Sequence, residues 1–418
     1  MSSPSPSKSR SHRSAFSEPV FRPYFLAACF ATLATWIVRF MIGWSAWHLT
    51  ESAFWVGAVS ALLLVPTFVL SPLFGVLSDR IDTRNGIVTT AVCNSVIAVA
   101  ITLLFALDRL SIEPLLLFAL AFGSVTAAHQ PMRLALMPRI LPRHLLPSGI
   151  GYSAIVFNTS RIIGPALAAA LLTVSSPFWV FTLATALFIT TAILLLRLPH
   201  AAAAERSQRA SLFADLRAGF GFIATTPMIR LILAMTLVNG LLGRSVTELL
   251  PAISGHLAGG TPSALATLTA SAGAGSILGG WVTSRQSGNP GRISMQVYAA
   301  LCLSALVLLP VITLHGLGAM VPVILLSSLF MTMIGTGSQA LVQLTVDDAY
   351  RGRVLSIWSM VSLGAPSIGA FSMGAVAERL GFGWTLVIFS LSALALTALL
   401  WRRRSWFVAL EDTTPTSH

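Results

Sequence analysis

The sequence contains very little charge and almost no lysine. Only 10% of its 418 residues are charged, and Lys8 is the single lysine among 26 basic residues. A water-soluble protein of this length carries about a quarter charged residues, so a soluble globular domain is excluded. With 55% hydrophobic residues, the chain needs lipid as the solvent for much of its surface.

Cysteine and catalytic motifs are scarce as well. Cys29, Cys93 and Cys302 each lie inside an apolar run, and their spacing fits neither a disulfide framework nor a zinc site. The eight histidines form no H-E-x-x-H pattern, and the chain has no G-x-S-x-G nucleophile elbow and no nucleotide-binding loop. We therefore expect no metal, no cofactor and no enzymatic activity. Because no nucleotide-binding loop is present to use ATP, we expect the proton motive force to be the energy source.

Long apolar runs predict an all-α membrane protein with twelve transmembrane helices, since about 20 apolar residues in a helix span the hydrocarbon core. The first six are predicted at residues 23–47, 52–74, 86–107, 114–137, 148–172 and 177–197. The second six are predicted at residues 228–251, 262–283, 293–314, 318–345, 353–376 and 384–402. Each boundary is approximate by several residues.

These helices divide the chain into two bundles, residues 21–197 and 228–404, joined by a polar linker at 198–227. Residues 211–223 within the linker are predicted to form an amphipathic helix on the membrane surface. Residues 1–20 lack the apolar stretch of a signal peptide and are predicted to be a disordered cytoplasmic tail. Residues 405–418 are predicted to be a second cytoplasmic tail.

The basic residues are distributed unevenly between alternate loops. With the N-terminus placed on the cytoplasmic side, only Arg109 and Arg379 face outward. Five arginines lie inside predicted spans: Arg39, Arg133, Arg161, Arg230 and Arg244. The others lie in cytoplasmic tails and loops, as the positive-inside rule requires. Membrane topology thus accounts for the net charge of +12, and nucleic-acid binding is not predicted.

The two sets of helices resemble each other. Gly75 at the end of the second predicted helix matches Gly280 at the end of the eighth, and Gly164-Pro165 in the fifth matches Gly364-Ala365-Pro366 in the eleventh. Duplicated six-helix halves are a recurrent transporter architecture, with the substrate site between the halves. We therefore predict two pseudo-symmetric six-helix bundles.

Residues 75–84, Gly-Val-Leu-Ser-Asp-Arg-Ile-Asp-Thr-Arg, resemble the loop signature of the major facilitator superfamily. Further segments are similar to its enterobactin-exporter-like branch, also described as transmembrane secretion effectors. They are residues 36–39, 43–44, 49–52, 158–165, 244, 248–251 and 351–356. The resemblance covers about residues 21–401 and implies a transporter in the bacterial inner membrane with cytoplasmic termini. It leaves the substrate open, because the branch also resembles macrolide-efflux proteins.

The resemblance also implies a gate on the cytoplasmic face. In the superfamily the loop aspartate contacts helix 11, where it can cap a helix and pair with arginine. The gating residues implied are Gly75, Asp79, Arg80, Arg84, Arg351, Gly352 and Arg353. Gly75 is expected to permit a tight exit from helix 2. The alternative is that Asp79 and Arg80 are solvated loop charges.

Three arginines lie deep in predicted helices: Arg161 near the middle of helix 5, and Arg39 and Arg244 about one turn outward of the middle of helices 1 and 7. An arginine near a helix centre costs about 2.5 to 3.5 kcal/mol, so it needs a partner or a water-filled cavity. Glu248 is the only carboxylate clearly inside a predicted span. A cavity with surplus positive charge is predicted, which favours an anionic or electron-rich substrate. The alternative is that the arginines tie helices together.

Asn158 and Gln130 are further candidates for the lining of this cavity. Glu248 and His129 are the candidates for proton coupling, because a carboxylate or an imidazole can exchange a proton during transport. Two other roles stay open. Glu248 lies four residues after Arg244 and could be an ordinary salt-bridge partner, and His129 could be a hydrogen-bonding residue in helix packing.

Gly164-Pro165 resembles the antiporter motif of proton-coupled drug exporters, which implies export. The match is partial, because Ala168 and Ala169 stand where a glycine is usual. Glycine lets helices approach closely and proline frees a backbone carbonyl, so Gly164, Pro165, Gly364 and Pro366 are expected at close helix contacts or bends.

The leading hypothesis is a proton-driven exporter that works by alternating access, with an anionic small molecule or siderophore as substrate. A multidrug or macrolide-type efflux pump is the alternative within the same class. A non-transporting membrane receptor is the alternative from another class, and the absence of a large extra-membrane domain disfavours it. The expected partners are the small-molecule substrate and the lipid bilayer, and the protein is expected to be a monomer.

Overall fold

A computed structural model of the protein describes residues 14–199, 220–285, 289–314 and 316–403, which form helices and short turns and contain no strand. The first six helices are α1 (Phe21–Thr50), α2 (Ala53–Arg80), α3 (Thr83–Ala106), α4 (Ile112–Ile140), α5 (Leu146–Val174) and α6 (Pro177–Leu196). The others are α7 (Pro227–Val238, then Asn239–Arg244, Ser245–Glu248 and Leu250–Leu257), α8 (Pro262–Ser284), α9 (Pro290–Leu308), α10 (Leu317–Thr345) and α11 (Asp348–Trp401). Residues 1–13 and 405–418 of the predicted tails, and most of the predicted linker, including 211–219, lie outside the described residues. The prediction of a disordered tail is wrong for residues 14–20, because Ala15–Ser17 form a short 3-10 helix in which Ala15 is buried and its backbone N–H donates to Oγ of Ser148 on α5 at 3.2 Å.

Within the described ranges, eleven helices are long and apolar enough to cross a membrane. They match the predicted helices, because unbroken apolar stretches determine both. The last one combines predicted helices 11 and 12 and contains one non-helical residue, Gly381, with a φ of 76° that favours glycine. Glu378, before Gly381, contacts Ser52 at the start of α2, whereas Leu400, after it, contacts Tyr298 of α9. The chain therefore reverses direction at Gly381.

Several helix starts are encoded locally. The N-cap side chains that accept a hydrogen bond from the first turn are Ser52, Asp82, Thr261 and Asn289. Proline stands in the first turn of α5, α6, α7, α8 and α9, where its missing N–H group costs nothing. These signals are short-range, which is why the helix boundaries could be predicted closely.

The expected helix exit at Gly75 is wrong. α2 continues through Gly75 to Arg80, and the chain turns at Ile81, whose backbone is extended. Asp82 then caps α3 by accepting hydrogen bonds from the backbone N–H groups of Arg84 and Asn85. The turn is thus made by an extended residue and an aspartate cap rather than by the glycine.

The helices pack in two groups, α1 to α6 and α7 to α11, with recurring pairs. α2 packs against α4 as α8 packs against α10, and α3 packs against α4 as α9 packs against α10. The groups meet along two seams, α2 with α11 and α5 with α8. α2 of the first group corresponds to α8 of the second, and α5 corresponds to α11. Replacing each helix by its counterpart therefore turns the α2–α11 seam into the α8–α5 seam. The contacts therefore follow a pseudo-two-fold relation.

The two groups are in close contact at one end. We call the end where α1 begins the terminal end, and the opposite end the distal end. On the distal side, α2 lies so close to α11 that a Cβ on Gly57 would come within 2.6 Å of the carbonyl oxygen of Ala370. Farther in along the bundle, Gly273 of α8 lies against Ile162 of α5. Both seams are closed at these points.

Toward the terminal end the α5–α8 seam opens. Gly280 lies two helical turns beyond Gly273 on the same face of α8, and no described atom lies within 4 Å of a Cβ added there. On α5, Ile155 lies two turns beyond Ile162 on the facing side and is 60% exposed. Among the described residues, the seam between the two groups is therefore closed toward the distal end and wider toward the terminal end.

Gly275 of α8 packs against the backbone of α10, and a Cβ there would overlap the carbonyl oxygen of Leu325. We expect Gly275→Val to destabilise the protein by about 1–3 kcal/mol or more, because the overlap is with backbone that cannot rotate away. The midpoint of thermal unfolding in detergent, monitored by size-exclusion chromatography after heating, should fall by several degrees. Gly280→Val on the same helix enters open space and is the matched control; equal losses in both variants would contradict this packing.

Candidate functional site

The deep charged residues meet between the two groups of helices. Nη2 of Arg39 on α1 donates to both carboxylate oxygens of Glu248 on α7, at 3.1 and 3.4 Å. The sequence allows an ion pair between Glu248 and Arg244 on the same helix. In the structure Glu248 instead forms its ion pair with Arg39, which belongs to the other group of helices. The side chains are 24% and 22% exposed, so the pair is accessible from the space between the groups.

Arg161 of α5 lies beside this ion pair. Its Nη2 donates to Oγ of Ser276 on α8 at 3.0 Å, which is a second polar contact between the groups. Arg161 interacts electrostatically with Arg244, Glu248 and Arg39. Arg244 interacts in turn with Glu248 and Arg39. We call Arg39, Arg161, Arg244 and Glu248 the central charge cluster.

Trp36 organises one side of this cluster. Its ring centre lies 5.3 Å from Cζ of Arg39 and 6.0 Å from Cζ of Arg161, so two guanidinium groups approach one indole. The role of Trp36 was not predicted, although its position three residues before Arg39 places both on one face of α1. Ser276 was not predicted either, because a lone serine in a glycine-rich helix gives no signal.

The cluster carries more positive than negative charge. Three guanidinium groups face one carboxylate, and Glu248 is the only carboxylate among the described residues that interacts with Arg161 or Arg244. Charges removed from water are costly unless they are paired, and a guanidinium offers a planar fork of donors that matches a carboxylate. The cluster can therefore bind an anionic group through ion pairs and hydrogen bonds.

α7 changes its helical geometry immediately before this cluster. Asn239–Arg244 form a π-helical turn, where Gly240 lies against Ala365 of α11 without room for a side chain. The wider turn alters the direction in which Arg244 and the residues after it point, and such turns are frequent at functional sites. A helix was predicted near 228–251, and a membrane-spanning helix lies there, but the π-turn within it was not predicted. The π-turn depends on close packing that only the tertiary fold supplies.

Three of the four predicted helix-packing residues lie at close contacts. A Cβ on Gly164 of α5 would come within 2.7 Å of Cβ of Trp36, so the glycine lets α5 approach the residue that organises the cluster. A Cβ on Gly364 of α11 would come within 2.6 Å of the ring of Phe68 on α2. Pro366 lies inside α11 with Cδ 3.2 Å from the Cβ position of Gly240. Pro165 lies inside α5.

His129 lies within the first group of helices. Its Nδ1 is 2.9 Å from Oγ1 of Thr90 on α3, in a hydrogen bond that ties α4 to α3. Its electrostatic partner is Arg133 on the same helix, and it does not interact with Arg161 or Arg244. This geometry corresponds to the helix-packing alternative.

Only part of the predicted gate and cavity lining can be placed. For five predicted residues only the helical backbone is described, and their surroundings are not: Gly75, Asp79, Arg80, Gln130 and Gly352. Asn158 is exposed on α5. Arg84 donates to the carbonyl of Leu196 at the end of α6, and Nε of Arg351 donates to the carbonyl of Val346 at 3.2 Å. Cζ of Arg353 lies 5.7 Å from the ring centre of Tyr350.

A polar contact at the distal end had not been predicted. The carboxylate of Glu378 on α11 accepts hydrogen bonds from Oγ of Ser52 at 2.9 Å and from the backbone N–H of Phe54 at 3.3 Å. A carboxylate is favoured at the N-terminus of a helix, where backbone N–H groups are unpaired. We call Glu378, Ser52 and Phe54 the distal latch, because they join the two groups where the bundle is closed.

Comparison with known proteins identifies a family. The sequence profile of the transmembrane secretion effector family matches residues 10–418. The chain is 25% identical over 381 residues to the staphyloferrin A transporter of Staphylococcus aureus (strain NCTC 8325 / PS 47), covering 90% of this chain and 95% of that protein. It is 25% identical over 404 residues to the enterobactin exporter EntS of Citrobacter koseri, covering 92% and 94%. It is 23% identical over 347 residues to macrolide efflux protein A of Streptococcus pyogenes, covering 81% and 84%.

Solved structures resemble this fold over nearly the whole chain. A bacterial homologue of the human lysosomal transporter Spinster has a TM-score of 0.71 at 15% identity, covering 94% of this chain and 98% of that one. The nucleoside transporter NupG has a TM-score of 0.68 at 15% identity, covering 91% and 98%. At these identities the likeness shows the fold alone.

Proposed function

The chain belongs to the transmembrane secretion effector family of major facilitator transporters, and from this premise we propose that it exports an anionic small molecule across the bacterial inner membrane. As a member of this family it is a multi-pass membrane transporter of a small molecule and not an enzyme. Export, the anionic substrate and coupling to protons are the proposed steps beyond that.

The observation that carries the proposal is the surplus of positive charge in the central charge cluster. Arg39 is neutralised by Glu248, whereas Arg161 and Arg244 have no second carboxylate among the described residues that interact with them. A substrate with carboxylate or catecholate groups would supply the missing negative charge. Similarity to a staphyloferrin A transporter and an enterobactin exporter supports a siderophore-like substrate.

Macrolide-type efflux is the second candidate, and the similarity to macrolide efflux protein A favours it. The charge of the cluster opposes a hydrophobic cation, because two uncompensated guanidinium groups would repel it. We therefore place an anion ahead of a cationic drug.

Transport is proposed to follow alternating access between the two groups of helices. We propose twelve membrane crossings, with the reversal at Gly381 dividing α11 into two, and a monomeric protein that binds no nucleic acid. The distribution of arginines supports a cytoplasmic terminal end, so the state described above is open to the cytoplasm. Gly75, Asp79, Arg80 and the 351–353 segment are proposed to close that end in the opposite state.

Glu248 is the proposed proton-coupling residue. It is the carboxylate of the cluster, it is partly exposed, and its ion pair with Arg39 joins the two groups. Protonation would remove this link between the two groups of helices. His129 is a weaker candidate, because its hydrogen bond to Thr90 lies within one group of helices.

Metabolites of the source strain, compared with and without the gene, test the substrate class. We expect the deletion strain to retain a molecule with net negative charge at neutral pH, and expression of the gene to restore its release. Arg161→Gln should reduce release at least tenfold, whereas Arg161→Lys, which keeps the positive charge, should retain more of it. Retention of a neutral or cationic molecule would contradict the anionic substrate.

A further inference from the structure

The central charge cluster lies between the two groups of helices, where alternating access would change the side from which water reaches it. In the described state, the seams are closed at Gly57 and Gly273, and toward the terminal end no described atom lies within 4 Å of a Cβ at Gly280. Water in this space brings the electrical potential of the terminal side up to the cluster. In the opposite state the cluster would experience the potential of the distal side. Its charges therefore cross a large part of the membrane field although the side chains move little.

The charge that crosses the field is positive when no substrate is bound. Three guanidinium groups and the Glu248 carboxylate, which pairs with Arg39 at 3.1 Å, leave a net charge of two. Ser276 and Trp36, the other described contacts of Arg161, are uncharged. An energised bacterial membrane is negative on the cytoplasmic side, which favours the state that exposes a positive cluster to the cytoplasm.

Resting on the proposed alternating-access export, we propose that the membrane potential returns the empty transporter to its terminal-open state through the net positive charge of Arg39, Arg161, Arg244 and Glu248. A bound dianion neutralises the cluster, so the loaded transporter crosses without working against the potential. The empty transporter then returns with its positive charge in the favourable direction, and a coupling proton on Glu248 would add one more positive charge. The cycle is electrogenic in its return step, and the anion leaves toward the positive side.

The size of the effect follows from the charge. A tenfold potassium gradient across a valinomycin-treated membrane changes the equilibrium by roughly tenfold for each elementary charge that crosses the whole field. Two charges give at most about a hundredfold change, and the Arg161→Gln cluster, with one charge, gives at most about tenfold. Arg161→Lys keeps two charges and provides the matched control.

The experiment uses the full chain in proteoliposomes, with Cys29, Cys93 and Cys302 replaced by alanine and Gly280→Cys as reporter. A Cβ at Gly280 meets open space, so the reporter fits the described state. A membrane-impermeant maleimide outside labels molecules whose terminal end faces outward. Labelling of the protein with wild-type Arg161 should slow when the outside is made positive. Arg161→Lys should slow by the same factor, and Arg161→Gln by a smaller factor.

Two results would overturn the inference: a labelling rate that ignores the gradient, or equal ratios in Arg161→Gln and Arg161→Lys. Size-exclusion chromatography of both variants shows that a lost response is not a loss of folding. The proposed function fails separately. If the metabolite comparison identifies a cationic substrate while labelling follows the gradient as expected, anion export is wrong and the electrical return step stands.

Discussion

Glu248→Gln is expected to abolish transport driven by a pH gradient while leaving the protein folded. Glutamine has the shape of glutamate but does not take up a proton at the carboxyl group, so the proposed coupling step is lost. It also loses the charge that pairs with Arg39 at 3.1 Å. Both side chains are partly exposed to the space between the groups of helices, so water can solvate the freed guanidinium and the fold should tolerate the change.

The measurement is flux of the molecule identified by the metabolite comparison, in proteoliposomes with an imposed pH gradient. We expect at least a hundredfold loss in Glu248→Gln, with exchange of substrate across the membrane at zero gradient retained. Glu248→Asp keeps a carboxylate on a shorter side chain and should retain part of the gradient-driven flux. Unchanged flux in Glu248→Gln would remove this residue from the coupling mechanism.

Glu378→Gln is expected to weaken the distal latch and to shift the protein away from the terminal-open state. Hydrogen bonds to a charged group contribute about 1.5–3 kcal/mol, against about 0.5–1.5 kcal/mol for neutral partners. The carboxylate accepts two such bonds, from Ser52 and from the backbone of Phe54. A loss of about 1.4 kcal/mol corresponds to a tenfold shift in the equilibrium between the two states.

The Gly280→Cys reporter measures this shift as slower labelling without any gradient, by at most about tenfold. Glu113→Gln is the matched control, because Glu113 lies at the same end and accepts a hydrogen bond from Ser111, two residues away in the same loop and helix start. That contact does not join the two groups of helices, so the labelling rate should stay unchanged. Equal slowing in both variants would show that the latch does not hold the distal end.

The sequence identified the charged residues of the site but not the contacts between residues that are far apart in the chain. Arg39, Arg161, Arg244 and Glu248 were selected because charge is rare in apolar helices, and the structure brings all four together. The partner of Glu248 could not be predicted, because Arg39 is 209 residues away and the choice depends on how α1 and α7 are rotated. His129 was selected by the same rule of rarity, and its hydrogen bond to Thr90 turned out to lie within one group of helices.

The sequence by itself determined the membrane solvent, the positions of the helices and the depth of the arginines, because apolar run length, caps and prolines act within a few residues. Only the tertiary structure decided that α7 contains a π-turn, that Glu248 pairs with Arg39 and that Glu378 closes the distal end on Ser52, 326 residues away. Each of these depends on which helix faces meet and how closely their backbones approach. In a bundle whose surfaces are apolar on nearly every side, hydrophobic pattern does not specify those faces, so small residues and a few charges decide them.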